Sequence, residues 1–483
     1  MHHRSVARRI LLPRFVLTEL SDDNDPAAVL VSDAREPYFC REKLVPDEGS
    51  RPDGKPRWMK HQFNLLPVVV DAAGAPWSEA SVYLISCLEG TPAPSMATFA
   101  SIADDLSAYR RFLDEYDVDW TKFPDNRLAR PTYRFNGHLK FSIGASEIAA
   151  ATARRRMGSV IAFYRWLAEE KVFTPANQPW AESDRYVEFS DKQGFRRTKV
   201  VKTTDLRINV PVQDDPYDGT IEDGAKLRPL SRDEQEWLIE ALSSIGNTEM
   251  TLIHVFALLT GARIQTVLTL RVKDVYLPVP RDPKSEARLP VGHGTGIDTK
   301  FDKQMVLHIP RWFCEKLRTY AESPRARKRR LRATGGDHED QYLFLSRQGV
   351  PFYQSKADST KFNQENTLRH TKSGQAVRQF ITERVVPYIR ETHGAKHFYY
   401  RFHDLRATAG MNWTDYQLDL VAQGRTTLHQ AREYVQVRMG HESSETTERY
   451  LKFRQRLEQV RRVEEKHEEH LRELCERVMA GLN

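Results

Sequence analysis

Residues 438–450 read RMGHESSETTERY and place His441 nine positions before Tyr450, close to the C-terminal end of the chain. Some way upstream, FHDLR places His403 three positions before Arg406. Together the four side chains supply a phenol, two imidazoles and a guanidinium. We expect no metal ion at these groups, and they are suited to attack on a phosphodiester.

Two further cations precede these motifs, Arg263 in TGARIQTVLTL and Lys300 in IDTKFDKQ. A phosphodiester that reacts develops charge on its non-bridging oxygens, and planar guanidinium groups bind such oxygens by paired, charge-assisted hydrogen bonds. Arg263 and Arg406 are therefore the candidates for electrostatic stabilisation of the transition state, a role that Mg²⁺ takes in other enzymes.

Proton transfer accounts for the remaining groups. Tyr450 is the candidate nucleophile, and because a free phenol has a pKa of about 10 it needs a base or a strongly positive environment to attack at neutral pH. His403 can accept that proton, and His441 can hydrogen-bond the phosphate. Lys300 is the candidate general acid for the departing 5′ oxygen, with Lys303 on the same predicted hairpin as the alternative.

In the motifs TGAR, TKFDK, HDLRATAGMNW and MGHESSETTERY the chain resembles the tyrosine recombinase (phage integrase) family. The resemblance covers residues 227–455, and a weaker one to the family's helical core-binding domain covers residues 95–175. It implies a metal-independent, site-specific DNA recombinase or integrase that cuts and rejoins strands through a 3′-phosphotyrosyl intermediate, without a cofactor. The implied partners are double-stranded DNA, three further copies of the chain in a tetrameric synaptic complex, and other proteins of a mobile genetic element.

The chain departs from the family pattern in three places. Thr266 stands where the family has an acidic residue, three positions after the first arginine. The intervals from Lys300 to His403 and from Arg406 to His441 are both long. These departures bear on local geometry and partner contacts, and they remove none of the six catalytic candidates.

Two other functions remain open at this stage. A type IB topoisomerase uses nearly the same residues, although the likeness to a core-binding domain favours recombination. A catalytically silent DNA-binding regulator on the same scaffold is the second alternative. Each motif alone also has an ordinary structural interpretation, but the joint occurrence of all six residues in this order argues against both chance and the silent regulator.

Composition agrees with a DNA-binding protein. The chain has 483 residues, enough for two or three domains, and its net charge of +7 favours a polyanionic partner. The four cysteines are scattered without a CxxC pair and predict reduced thiols. The basic N-terminal stretch is a poor signal peptide because Pro13 interrupts it, and no run of about 20 apolar residues predicts a membrane helix. We therefore expect a cytoplasmic, nucleoid-associated protein of a prokaryote.

The predicted architecture is multidomain: a helical core-binding domain, a mixed but mainly α-helical α+β catalytic domain, and an extra N-terminal α+β module. The expected segments are the module at 1–90, the core-binding domain at 91–178, a linker at 179–226, the catalytic domain at 227–455, and a C-terminal helix at 456–483 that resembles family segments reaching a neighbouring protomer. Ser231 and Glu234 form a capping-box pattern where the catalytic domain begins.

Basic residues outside the catalytic motifs are candidates for DNA contact. Positive charges at the start of a helix oppose its dipole unless anions neutralise them. The DNA-binding candidates are Arg154, Arg155 and Arg156 at a predicted helix start, and Arg196, Arg197 and Lys199 in the basic half of the linker. A further basic run, RARKRRLR at 325–332, predicts either a DNA-contacting loop or a solvated helix end.

Overall fold

Apolar residues at helical spacing in 95–175 predict helices with one buried face, and such helices run through this range. Short antiparallel strands accompany helices elsewhere in the computed structural model. The structure describes residues 6–32, 36–47, 57–89, 95–190, 196–209, 219–278, 285–360, 372–456 and 472. The chain divides into two compact units, one of residues 1–213 and 356–371 and the other of residues 214–355 and 372–483.

The first unit starts with short strands and continues with helices and a two-stranded ribbon. The strands are β1 (Arg8–Leu12), β2 (Phe15–Val16), β3 (Thr18–Ser21), β4 (Val29–Val31), β5 (Tyr38–Glu42), β6 (Leu44–Asp47), β7 (Arg57–Lys60), β8 (Gln62–Phe63) and β9 (Leu66–Val70). The helices are α1 (Ser78–Glu89), α2 (Met96–Glu115), α3 (Pro131–Gly144) and α4 (Ala150–Glu169). The ribbon is β10 (Glu182–Ser190) with β11 (Arg196–Thr204).

One hydrophobic core holds this unit together. Tyr109 on α2 and Tyr164 on α4 are fully buried, and their hydroxyls lie 2.8 Å apart. Tyr164 also donates to the Trp120 carbonyl at 2.8 Å, so the buried phenols are satisfied. Every residue of β9 is buried, and the strand packs on α1 and α2 in the same core. The expected boundary at residue 90 therefore falls inside a single unit, because β9 buries its apolar side chains against the helices that follow it.

The stretch 179–226 differs from the linker with little core that its composition predicts. Its first part forms the ribbon, and Leu206 and Ile208 return to the core of the first unit. The rest of the stretch belongs to the second unit, where Ile221 is buried, as is Leu227 directly after the stretch. A few apolar residues among many charged ones are therefore enough to pack one end of this stretch into the core of the first unit and the other end into the second unit.

The second unit is mainly helical and contains two hairpins. The strands are β12 (Ile221–Glu222), β13 (Lys226–Leu227), β14 (Glu286–Val291) and β15 (Met305–Pro310). The helices that follow β13 are α5 (Arg232–Ile245), α6 (Thr248–Thr260), α7 (Ile264–Leu268), α8 (Arg311–Glu322), α9 (Pro324–Arg330), α10 (Lys356–Thr360), α11 (Gln375–Phe380), α12 (Val386–Thr392), α13 (Asp404–Ala422) and α14 (Leu428–Met439). A last helix occupies 444–456, and α10 falls within the range assigned to the first unit.

The core of the second unit forms around α6, whose Ile253 and Phe256 have no exposed surface. The β14–β15 hairpin pairs in the register Glu286↔Pro310 to Val291↔Met305, and its alternate residues are buried, as the strand pattern KQMVLHIP predicts. The capping box is confirmed, because Ser231 accepts from the Glu234 amide at 3.2 Å and the Glu234 carboxylate accepts from the Ser231 amide at 2.9 Å.

Structure also explains the long interval between the HxxR motif and His441. Helix α13 runs for 19 residues, and α14 follows after a short turn and packs against α13. A helix pair therefore fills this interval, and the two motifs lie at its ends. Apart from residue 472, the C-terminal segment after residue 456 lies outside the described residues, and so does the protomer contact expected there.

The basic run at 325–332 forms most of α9 and its C-terminal end, and several of its arginines are engaged in contacts within the protein. Glu249 on α6 is 1% exposed and accepts from Arg325 at 2.7 and 2.8 Å. Arg329 lies 2.9 Å from the same carboxylate, and the buried Arg330 donates to Asp337 at 2.5 Å. A buried carboxylate requires such partners, so much of this positive charge is structural. Across the part of the chain that the structure describes, none of the helices is long and apolar enough to span a membrane.

Candidate active site

Tyr450 lies on the helix at 444–456 and has no exposed surface. Its ring packs with Ile221, Met411 and Met439 in a small cluster of the second unit. Gly410 on α13 makes this position possible, because a Cβ at Gly410 would lie 2.5 Å from Cε1 of Tyr450. Any larger residue at position 410 would push the phenol away.

Arg406 on the first turn of α13 is 2% exposed, and each of its three nitrogens has a partner. Nη1 donates to the Gly261 carbonyl at 2.9 Å and Nη2 to the Met439 carbonyl at 2.7 Å. Nε donates to Oδ2 of Asp223 at 2.8 Å. The guanidinium therefore connects the TGAR and MGH motifs and presents one edge to an anion.

Arg263 is brought to the same place by the turn after α6. Gly261 caps the C-terminal end of that helix with φ +63°, a conformation that favours glycine, and Arg263 is the N-cap residue of α7. Its Nη2 lies 3.8 Å from Oδ1 of Asp223. Burial, and then the charge of Arg406, lower the pKa of Arg263 to about 10. Its Nε is buried and has no hydrogen-bond partner among the described residues, so the group can still bind a further acceptor.

His441 follows α14 and is held from both sides. Nδ1 lies 2.9 Å from Oγ1 of Thr447, and Nε2 lies 3.2 Å from Oδ2 of Asp223. Burial lowers the pKa of His441, although the hydrogen bond to Asp223 opposes that change. A neutral ring satisfies both contacts when Nε2 carries the proton, so His441 is placed as a donor to an anion.

Asp223 is the centre of this cluster, and the sequence interpretation did not identify it. The residue is 4% exposed, and the hydroxyl of Tyr450 donates to its Oδ2 at 3.2 Å. Arg406, His441 and Tyr450 thus all donate to one carboxylate oxygen, while Arg263 lies near the other. The only sequence signal was the Asp-Gly pair between Ile221 and Leu227, which is typical of a hairpin turn but does not indicate burial.

A short hairpin carries Asp223 into the cluster. Strands β12 and β13 pair only at Ile221↔Leu227 and Glu222↔Lys226, and the turn closes with Gly224 at φ +71°. Ile221 packs in the Tyr450 cluster, and Arg449 donates to the Glu222 carbonyl at 3.1 Å.

The charges and burial of the cluster determine the protonation states of Asp223 and Tyr450. Burial alone would raise the pKa of Asp223, but the hydrogen bond from His441 and the charge of Arg406 outweigh it and hold that pKa far below its usual range. Burial raises the pKa of Tyr450 well above its ordinary value, and the negative charge of Asp223 raises it further. In this arrangement Asp223 is an anion, and the phenol keeps its proton.

His403 precedes α13 at the edge of the same cluster and is partly buried. Burial, followed by the charges of Arg263 and Arg406, lowers the pKa of His403 to about 4. The ring is therefore neutral at physiological pH, and in these surroundings it is a weak base. The Tyr450 hydroxyl donates to Asp223 rather than to this imidazole.

The two candidate lysines differ in their surroundings. Lys300 begins a tight turn in which Phe301 and Asp302 have φ of +62° and +53°. Lys300 lines a small pocket together with Arg263 and Arg406. Its amine packs so close to Gly224 that a Cβ added there would lie 3.3 Å from Nζ. Lys303 lines the same pocket but forms an ion pair with Glu442 at 3.1 Å.

Thr266, which stands where the family has an acidic residue, donates to the Asp298 carbonyl at 2.8 Å and holds the loop before Lys300. Among the described residues, no group of three or more His, Cys, Asp and Glu side chains is placed to hold a metal ion.

The DNA-binding candidates all lie in the first unit and have different environments. Arg155 forms an ion pair with the buried Asp105 at 3.0 Å, and the same carboxylate attracts the half-buried Arg156. Arg154 lines an open groove beside α4. Thus the protein itself neutralises part of the charge at this helix start, which had been attributed to phosphates.

Several solved structures of integrases are similar to this chain. A lambda integrase dimer bound to a COC′ core site shares 15% identity over 77% of this chain and 94% of that chain, with a TM-score of 0.39. The Tn1549 transposon integrase in complex with a circular intermediate DNA shares 14% identity over 77% of this chain and 94% of that chain, with a TM-score of 0.40. A lambda integrase tetramer bound to a Holliday junction shares 14% identity over 77% of this chain and 76% of that chain, with a TM-score of 0.40. No protein-family model and no curated protein sequence matches the chain.

Proposed function

We propose that this chain is a tyrosine recombinase, a DNA strand transferase that cuts and rejoins duplex DNA at specific sites through a phosphotyrosyl intermediate. One observation carries the proposal: the donors of Arg406, His441 and Tyr450 meet at a single carboxylate oxygen of Asp223, with Arg263 beside it. The cluster is an anion site with a phenol at its wall. In the proposed reaction a phosphate takes the place of that carboxylate.

The proposed chemistry uses only groups of this cluster and the turn beside it. The Tyr450 oxygen attacks the phosphorus, a bond to the 3′ phosphate forms, and the bond from phosphorus to the 5′ oxygen breaks. His403, which is neutral at physiological pH, accepts the phenolic proton, and the negative charge of the bound phosphate raises its lowered pKa for that role. Lys300 protonates the departing 5′ oxygen. Arg263 and Arg406 stabilise the charge on the non-bridging oxygens.

We further propose that the β10–β11 ribbon contacts the DNA. Directly paired residues of an antiparallel ribbon lie on the same face. Arg185, Arg197 and Lys199 share one face, and the described side chains of that face include no carboxylate. The acidic residues Glu182, Asp184 and Glu188 are all on the opposite face. A two-stranded ribbon fits the major groove of B-DNA, and the basic face is the one suited to approach the phosphates.

The groove between this ribbon and α4 extends the same surface. It has a volume of about 540 Å³ and contains residues from both elements. Its lining includes Arg154, Arg165, Arg185 and Arg207, and no carboxylate side chain of the described residues lines it. We therefore assign DNA contact to Arg154 rather than to Arg155, which is paired with Asp105.

Strand exchange requires two DNA sites, and we propose that four copies of the chain assemble on them. We also propose that the element recombined is a mobile one in a prokaryotic cell. Both proposals extend the resemblance in the catalytic motifs.

The proposed chemistry can be tested with a suicide substrate that carries a nick near the cleavage point. The short fragment with the new 5′ hydroxyl diffuses away after cleavage, so the strands cannot be rejoined and the covalent intermediate accumulates. The wild-type protein should form a protease-sensitive adduct with the 3′ phosphate at the break. Tyr450→Phe should bind the same DNA with unchanged affinity and form none. An adduct with the phenylalanine variant would overturn the assignment of the nucleophile.

The same substrate separates the alternatives. A silent DNA-binding regulator would bind without an adduct in the wild-type protein. A type IB topoisomerase would form the adduct and relax supercoils without exchanging strands between two target sites, whereas a recombinase exchanges them.

A further inference from the structure

The donors that meet at Asp223 are the donors that a scissile phosphate needs. Arg406 and His441 contact Oδ2 at 2.8 and 3.2 Å, and the nucleophilic hydroxyl contacts the same oxygen at 3.2 Å. A phosphorus atom attacked by Tyr450 must lie at about that distance from the phenol. The carboxylate and the phosphate cannot occupy this volume together.

Charge reinforces the steric conflict. The pKa of Asp223 is held far below its usual range, so the carboxylate is an anion wherever the protein is folded at neutral pH. An anionic phosphodiester brought to the same donors would meet that negative charge in a buried setting, where electrostatic repulsion is strong. Phosphate binding therefore requires that Asp223 leave.

We propose that Asp223 is an internal substitute for the phosphate, which closes the catalytic site until DNA displaces the β12–β13 hairpin. This inference rests on the proposed strand-transfer function. In the closed state the carboxylate neutralises Arg406 and holds the phenol as a protonated donor, so both the electrostatic stabilisation and the nucleophile are inactive. DNA then has to compete with Asp223 for the same donors.

The hairpin is built so that it can be displaced. Only two residue pairs join its strands, Ile221↔Leu227 and Glu222↔Lys226. Ile221 packs in the Tyr450 cluster, and Arg449 contacts the Glu222 carbonyl at 3.1 Å and its carboxylate at 3.5 Å. Arg449 neighbours Tyr450 in sequence, so movement of the hairpin and release of the phenol are mechanically linked.

The first test is Asp223→Asn, which keeps the size of the side chain and removes its charge. When the closed state dominates, the apparent affinity for DNA is reduced by the fraction of protein that is open. At DNA concentrations below saturation, the initial rate of adduct formation on the suicide substrate should therefore rise about tenfold or more above wild type.

A rate below wild type at every DNA concentration would overturn the inference, because Asp223 would then assist the reaction. The doubly substituted Asp223→Asn, Tyr450→Phe protein should form no adduct and confirms that any gain arises from Tyr450.

A second variant loosens the hairpin without touching the anion site. Arg449→Ala removes the contact with Glu222 and should raise the subsaturating rate in the same direction, by a smaller factor. Arg449 also contacts Glu445 at 3.3 Å, so Glu445→Ala is the matched control and should leave the rate unchanged. Equal rates for Arg449→Ala and wild type would argue against a hairpin that must move.

The third test uses inorganic phosphate and no DNA. A ligand that binds the folded state alone raises the melting temperature. Phosphate should therefore raise the melting temperature of Asp223→Asn more than that of wild type, in which the carboxylate already fills the site. An equal rise in melting temperature for the two proteins would contradict the inference that the Asp223 carboxylate occupies the phosphate site.

Failure of this inference is distinguishable from failure of the proposed function. If the wild-type protein forms the adduct and Asp223→Asn forms it more slowly, strand transfer stands and the closing role of Asp223 falls. If neither protein forms an adduct and phosphate still stabilises the variant preferentially, the anion site stands and the strand-transfer function falls.

Discussion

The hydroxyl of Tyr450 donates to Oδ2 of Asp223 at 3.2 Å across 227 positions of sequence. This contact joins the helix at 444–456 to the β12–β13 hairpin of the same unit. A movement of the hairpin would therefore break a hydrogen bond of the Tyr450 hydroxyl. The contact also keeps the phenol protonated, since burial and the nearby carboxylate both raise its pKa. The proposed role of Tyr450 as nucleophile therefore requires a rearrangement of this contact as well as a proton acceptor.

We predict that Lys300, and not Lys303, protonates the leaving 5′ oxygen, because Lys303 is paired with Glu442 while the Lys300 amine lies beside the Asp223 hairpin. Lys300→Ala should slow adduct formation by about 100-fold, as expected for loss of a general acid. A substrate with sulfur in place of the 5′ bridging oxygen should restore the rate, since a thiolate leaves without a proton. Lys303→Ala is the control, and rescue of that variant instead would reverse the assignment.

The ribbon gives a prediction with a closely matched control. Arg197 lies on the basic face with Lys199, whereas its neighbour Arg196 lies on the face that carries the carboxylates. Arg197→Ala should weaken DNA binding and lower the slope of log affinity against log salt by about 1, the value for one lost phosphate contact. Arg196→Ala should leave the slope unchanged in the same titration. Equal effects of the two substitutions would show that the ribbon does not present one face to DNA.

The buried carboxylate of Glu249 predicts which residues of the basic run stabilise the fold. Arg329 contacts it at 2.9 Å, while Lys328 beside it is exposed. Arg329→Ala should lower the free energy of unfolding by about 2 to 3 kcal/mol, because a buried charge loses one of its partners while Arg325 remains. Lys328→Ala should change that free energy by less than about 0.5 kcal/mol. Urea unfolding of both variants measures the difference, and similar stabilities would contradict the structural role.

A buried histidine predicts how stability depends on pH. Burial lowers the pKa of His254 to about 4, although its hydrogen bond to the Met250 carbonyl opposes that change. Its pKa in the unfolded chain is about 6.5. Below pH 6.5 the unfolded state takes up a proton that the folded state refuses, so stability is lost as the pH falls from about 6.5 to about 4.

At pH 5 this effect of His254 should amount to about 2 kcal/mol. Urea unfolding at pH 7.5 and pH 5 should therefore show a smaller pH-dependent loss for His254→Leu than for wild type. Substitution of the exposed His429 by Gln should leave the loss unchanged. A loss in His254→Leu equal to that of wild type would mean that this histidine titrates normally in the folded protein.

Local sequence patterns were sufficient to predict those elements whose structure depends on residues close in sequence. The periodicity of 95–175 placed the buried faces of α2 and α4, and the alternation in KQMVLHIP placed β15. The Ser231–Glu234 capping box formed as its spacing predicts. The composition of β9 placed a boundary at residue 90 that the structure does not have, because β9 buries its side chains against α1 and α2 of the same unit.

The sequence by itself determined the types, order and spacing of the groups that the proposed reaction needs. A phenol, two imidazoles, a lysine and two guanidiniums are given by residue type and position, which do not depend on the fold. Only the tertiary structure decided the partners of those groups. Asp223 reads as one more acid in an acidic stretch, and Arg155 reads as one more free base, yet each is engaged with opposite charge in the folded protein. The reason is that ionic contacts act through space, and the energy of a buried charge depends on neighbours that can lie hundreds of positions away.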